Sequence, residues 1–214
     1  MLSGKDLGSR HFRCVRRRRG SFSFPKFWYD RDMNTETNST IVPSLTQASE
    51  MLRGAIGQIQ FARNYTLELL ENTPQELWFT IPAGMPTNVA WQVGHLTVSQ
   101  YGLLMFRIRG RGPDDLELIP GKFRKTYGRG TVPSADASSQ PTPEELLDRL
   151  AQVHAQSMQV LEGVAPEVLL EAVDMPYAAY PIKLGAILFC PIHEGIHAGQ
   201  LGLLRRMHGL ESVR

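Results

Sequence analysis

Ile192-His193-Glu194-Gly195-Ile196-His197-Ala198-Gly199-Gln200-Leu201 places two histidines four residues apart in a run with helical spacing. Residues four apart on a helix sit one turn above each other on the same face, so both imidazoles can reach a single divalent ion. That is half of a metal site.

The same letters spell H-E-x-x-H, the signature of zinc metalloproteases. Such an enzyme needs a third ligand downstream, either a His six residues after the second or a Glu on a later helix. Leu203 stands at the first of those positions, and His208 and Glu211 lie too close in sequence to fold back onto the ion. The protease reading is set aside, and the third ligand is sought upstream.

A chain of 214 residues with 42% hydrophobic content can bury one sizeable core, and nothing in it demands a second domain. It has no run of 18 apolar residues, so no spanning helix and no membrane partner are expected. Cys14 and Cys190 lie far apart in unlike contexts, which argues against a disulfide framework and fits a reducing cytoplasm. Cys190 reads as a small packed hydrophobe, although it precedes His193 by only three residues.

The net charge of +2 conceals an asymmetry. Residues 1–32 carry nine Lys+Arg against three Asp+Glu, a net of +6, which leaves −4 for the remainder. The body has no basic stripe, so no nucleic-acid partner is expected. The N-terminal segment, with Arg16-Arg17-Arg18-Arg19, shows neither helical nor strand period and lacks the apolar stretch of a secretory signal. A nucleic-acid arm or a targeting tail has such a composition. The reading favoured is a mis-assigned extension with translation starting at Met33, so that residues 1–44 are disordered and 45–214 form the domain.

Four long helices are expected. The first runs from an N-cap at Ser44 or Thr46 to about Asn72, with apolar residues at helical spacing. The second starts at a cap on Thr87 or Asn88, runs to Phe106, and carries Trp91, His95, Val98 and Gly102 on its inner face. A histidine on an apolar face is ordinarily a core residue satisfied by a carbonyl or water. His95 stands out because two other imidazoles need a partner from a separate helix. Residues 107–142, rich in Gly, Pro and charge, read as a long surface crossover, with a lid or contact surface as the alternative. Thr142-Pro143-Glu144-Glu145 has the cap, first-turn proline and N3 glutamate of a capping box and starts the third helix, carried to about Gly163. His154, on that helix, reads as surface or rim. Pro166 to Pro181 is irregular, with Pro176, Tyr177 and Tyr180 as candidate pocket residues. The fourth helix runs from about Lys183 to Met207, with a kink expected at Pro191 and an end at His208-Gly209. Gly195, Gly199 and Gly202 form a small-residue face for close approach of another helix, in the bundle or across a dimer.

Four helices without a strand signal imply an all-α four-helix bundle with ligands projecting inward. The sequence resembles the DinB / bacillithiol-transferase-like (YfiT-like) superfamily of metalloenzymes. The residues that carry the resemblance are Trp91-Gln92-Val93-Gly94-His95-Leu96 and His193 to Leu201, joined by Lys125-Thr126-Tyr127-Gly128-Arg129-Gly130-Thr131 and Pro141 to Leu147, over roughly residues 45–210. The resemblance implies a bundle that is a mirror variant of the simple up-and-down arrangement, often a homodimer. It implies zinc or nickel held by His95, His193 and His197. It also implies chemistry on small molecules with low-molecular-weight thiols: some members transfer bacillithiol or a related thiol, and others isomerise a maleylpyruvate-type acid with mycothiol.

Three neutral imidazoles leave a coordination position open, the pattern of a reactive site. A divalent ion there lowers the pKa of bound water or holds a thiol as thiolate. Glu194 lies about 100° round the helix from His193 and reads either as a catalytic base or as a solvated charge. Gln200 shares the histidines' face and reads as an orienting residue or a core contact. Trp91 and Tyr180 are further candidates for contact with substrate. The expected function is a cytoplasmic metal-dependent thiol transferase, with a metal-dependent hydrolase or a non-catalytic metal-binding bundle as alternatives.

Overall fold

A computed structural model of the chain describes residues 42–174 and 180–214. The expectations for the arginine run at Arg16 to Arg19, for a start at Met33, and for Pro176 and Tyr177 lie outside the described residues. The fold is all-α. Among the described residues the one β feature is an isolated bridge between Ala172 and Ile182.

The elements in order are α1 (Leu45–Glu71), α2 (Val89–Tyr101), a π turn (Gly102–Phe106), α3 (Arg107–Arg109), α4 (Asp115–Leu118), α5 (Gly121–Tyr127), α6 (Pro143–Gly163), α7 (Pro166–Leu169) and α8 (Lys183–Met207). Short 3₁₀ turns lie at Gln75–Leu77 and Ala137–Ser139. The long helices begin and end where local chemistry favours it. Ser44 closes a capping box with Gln47 at the head of α1, and Thr142 closes one with Glu145 at the head of α6. Asn88 accepts from the Trp91 amide at 2.9 Å and starts α2. Gly209, at φ 76°, turns the chain out of α8, and the Leu210 amide bonds back to the Arg205 carbonyl at 3.0 Å. α8 runs through Pro191 as one helix.

α8 packs against both α1 and α2, and α2 packs against α6. The apolar residues gather in two clusters. One holds Leu69, Val93, Leu96, Leu146, Leu150, Leu201 and Leu204, and the other holds Ala55, Ile59, Leu104, Leu161, Leu184, Ile187 and Cys190. α1, α6 and α8 each contribute to both clusters, and α2 contributes to the first while the π turn that continues it reaches the second. Buried or half-buried polar residues lie between the two contributions: Arg63 and Thr66 on α1, Gln100 on α2, His154 and Ser157 on α6, Glu194 and His197 on α8. A polar layer therefore crosses the molecule at mid-height.

Two expectations are corrected here. Residues 107–142 are not an irregular crossover, because α4 and α5 lie within them and α5 packs Phe123 and Tyr127 into the core. Those two aromatics stand in an otherwise polar segment of seven residues, too short for an apolar period to register. Among the described residues the face of Gly195, Gly199 and Gly202 meets no other helix, so of its two expected uses the close approach within the bundle is not made. A Cβ at Gly195 or Gly199 would have nothing within 4 Å, and one at Gly202 would approach only the Arg206 side chain.

Candidate metal centre

His95, on the face of α2 turned toward α8, and His193 and His197, one turn apart on α8, come together. One ligand nitrogen from each lies within 4.8 Å of the other two. Nε2 of His193 is 3.2 Å from Nε2 of His197. A tetrahedral ion with bonds of about 2.1 Å holds its ligand atoms about 3.4 Å apart, so this pair already has a coordinating separation.

The tautomers decide whether the set suits a cation. His95 Nδ1 lies 2.9 Å from the Tyr127 carbonyl, which can only accept, so Nδ1 carries the proton and Nε2 keeps its lone pair. At His197, Nδ1 is 2.5 Å from Gln92 Oε1. Gln92 is oriented by its own Nε2, which donates to Thr87 Oγ1 at 2.9 Å and leaves Oε1 as the acceptor. Nε2 of His197 therefore also keeps its lone pair. Two imidazoles are thus held in the metal-ligating tautomer by oxygen acceptors behind them, the arrangement that second-shell partners give to histidine ligands. Ser99 Oγ lies 3.3 Å from His95 Nε2, where its hydroxyl competes with a cation for that single lone pair.

Burial works in the same direction. Desolvation lowers the pKa of His95 from its usual value, despite the Tyr127 bond that acts against it. It lowers His193 to about 4 and His197 to about 3, with the neighbouring imidazoles adding to the effect. Burial thus favours the neutral form of all three rings, the form that ligates.

The support around the rings is made by packing. Trp91 stacks on His95 with centroids 4.7 Å apart and planes 7° from parallel, and its Nε1 donates to Thr131 Oγ1 at 2.9 Å. The 125–131 segment therefore holds the site twice, through the Tyr127 carbonyl and through Thr131. Gly94 makes this possible, since a Cβ there would lie 2.4 Å from the Tyr127 ring.

The other candidates fall out as follows. Glu194 is not a solvated charge. It is buried at 2% exposure, and both its oxygens accept from Arg63, from Nε at 2.7 Å and Nη2 at 3.2 Å. Arg63 also donates to the Leu150 carbonyl and to Gln100 Oε1, and Gln100 Nε2 meets His154 Nδ1 at 3.0 Å. His154 is half-buried in this network and outside the three-histidine group. Gln200 is half-buried, and its side chain bonds to His197. Tyr180 packs on the apolar cluster of Ile182, Leu184 and Ile187. Cys190 is buried in that cluster, and burial pushes its thiol pKa up, so it stays a protonated packing residue.

Gln92, Thr87, Ser99, Tyr127 and Arg63 were given no role at the site by the sequence, Thr87 being read only as a possible helix cap. Gln92 and Tyr127 stand within the motifs that carry the family resemblance. Nothing local separates an amide that orients a ligand from one that fills a core.

The class of protein this defines is an all-α chain with a buried to half-buried histidine triad that could hold a metal ion. Residues 58–201 match the family model of the DinB superfamily, and the chain belongs to that superfamily. No curated protein matches it.

Proposed function

We propose that the protein is a metal-dependent transferase that joins a small thiol to an electrophilic small molecule inside the cell, with zinc or nickel held by His95, His193 and His197. The observation that carries this reading is the pair of preset tautomers. The chain uses the Tyr127 carbonyl and Gln92 to turn two Nε2 lone pairs toward a third imidazole, an arrangement with no purpose in a purely apolar core. Three protein ligands suit a reactive ion better than a structural one, which ordinarily has four. Such an ion, when bound, favours the deprotonated form of a thiol or water that joins it.

The residues of the chain supply the rest. His95 is clamped between the Trp91 face and the Tyr127 carbonyl, so its ring cannot turn. Gln92 and Gln200 hold His197. Glu194 is committed to Arg63, so in this reading it fixes the rotation of α8 about its axis, and the proton leaving the thiol passes to solvent or product. α1, α2, α6 and α8 form the four-helix bundle that carries the site. Two copies associate through the outer face of α8, where Ile192, Ile196, Leu203 and Met207 are exposed beside the open Gly195 and Gly199.

The test is metal analysis of untagged wild type beside His95→Ala, followed by thiol consumption with an electrophile panel and cysteine, coenzyme A, glutathione and bacillithiol. The expected results are near-stoichiometric metal in the wild type, loss of most of it in the variant, and metal-dependent consumption of one thiol. Equal occupancy would remove His95 from the site. Full occupancy without thiol consumption, but with release of acid from an ester or amide panel, would replace transfer with hydrolysis. Chromatography with light scattering checks the dimer, which Ile196→Lys is expected to split.

A further inference from the structure

A cavity opens one helical turn beyond His95 along α2. It has a volume of about 140 Å³ and lies between the end of α2, the π turn and the α4–α5 segment. Its wall is apolar at Val98, Phe106 and Ile119, and two arginines, Arg111 and Arg124, stand on it. A carboxylate, Asp115, also lines it, but that charge is already answered. Arg109 takes both its oxygens at 2.7 and 3.1 Å, and the Tyr101 hydroxyl and the Gly112 amide donate to it at 2.9 and 2.8 Å. The side chains of Arg111 and Arg124 have no hydrogen bond or ion pair among the described residues, so two guanidinium charges without a bonded partner stand over an apolar floor.

The shape of the wall has its own cause. The chain leaves α-helical geometry at Gly102–Phe106 for one π turn, and Gly102 and Phe106 of that turn both line the cavity. π turns of this kind are uncommon and gather at functional sites. The Gly102 carbonyl accepts the Arg107 backbone N–H that closes the turn and, at 2.9 Å, the Arg107 side chain as well.

We propose that this cavity binds a small organic anion, with its charged head between Arg111 and Arg124 and an apolar body against Val98, Phe106 and Ile119. A cavity of roughly 150 Å³ accepts a benzene ring, so the body is no larger than that. Guanidinium groups take carboxylate and phosphate alike, and the two heads are separated by experiment. The cavity and the metal centre share two walls. Val98 follows His95 by one turn on α2, and Arg124 precedes Tyr127 by one turn on α5. The site stands on these residues alone and does not depend on the metal reading.

The test uses the full chain stripped of metal, titrated with benzoate, phenyl phosphate and, as neutral control, benzyl alcohol. The readout is the shift of the Gly102 and Gly121 amide signals. One anion is expected to bind with Kd of roughly millimolar order, and benzyl alcohol at least about 10-fold more weakly. The double variant Arg111→Gln/Arg124→Gln is expected to lose about 10-fold or more for the anion at unchanged Tm, since both side chains are exposed. The same titration of His95→Ala is expected to match wild type, which separates this site from the metal centre. Absence of any shift with either anion to about 20 mM overturns the proposal. So does equal binding of benzyl alcohol, or unchanged affinity in the double variant.

Discussion

Gln92 does for His197 what the Tyr127 carbonyl does for His95: each accepts the Nδ1 proton and leaves Nε2 free. Gln92→Met keeps the bulk and removes the acceptor. Divalent-ion affinity, measured by competition with a chelator, is expected to fall about 10- to 100-fold, the usual effect of losing such a partner. Unchanged affinity would show that His197 needs no orientation. Gly94 acts on the other ring from behind. Gly94→Ala drives a methyl into the Tyr127 ring, which is buried with α5 and has nowhere cheap to go. Overpacking of this kind costs about 1–3 kcal/mol. The variant is expected to show a lower Tm together with weaker metal binding, because the displaced segment carries the carbonyl that holds His95. Lower stability with intact affinity would place Tyr127 in the core only.

Among the elements, the polar layer is what joins the helices in register. Arg63 on α1 reaches Glu194 on α8, Gln100 on α2 and the Leu150 carbonyl on α6. Removing one partner of a buried ion pair leaves the other charged and unsolvated, at a cost of about 3–5 kcal/mol. Glu194→Leu is therefore expected to destabilise by that order in urea unfolding, and Arg63→Met/Glu194→Leu by less than either single change implies. Additive losses would mean the two side chains are not coupled. At this scale the sequence was readable wherever the signal was local. The capping boxes at Ser44 and Thr142 and the exit at Gly209 set helix ends through bonds spanning a few residues. α5 was missed because its reason for being helical lies in the Gly94 surface it packs on, far away in sequence.

For the whole molecule, the buried imidazoles make stability depend on pH. Burial holds His154 and His193 near 4 and His197 near 3, well below the ordinary value of 6.5. Between about 6.5 and 4 the unfolded chain binds protons that the folded one refuses, so stability is complete above that interval and declines as pH falls through it. The Tm of metal-free protein is expected to be flat above about pH 7 and to drop through the interval, and His154→Gln is expected to reduce the drop. A Tm that holds steady from 6.5 to 4 would mean that these rings are charged in the fold.

The sequence by itself determined the long helices, the i, i+4 histidine pair and the need for a third imidazole from α2, because helical period and capping are written within a few residues. Tertiary structure alone decided that Glu194 would face Arg63 rather than water, and that Gln92 and the Tyr127 carbonyl would choose the tautomers. Those contacts join residues 131, 105 and 32 positions apart. A hydrogen bond has no period along the chain, so its partner is known only once packing has brought the two atoms within 3 Å or so of each other.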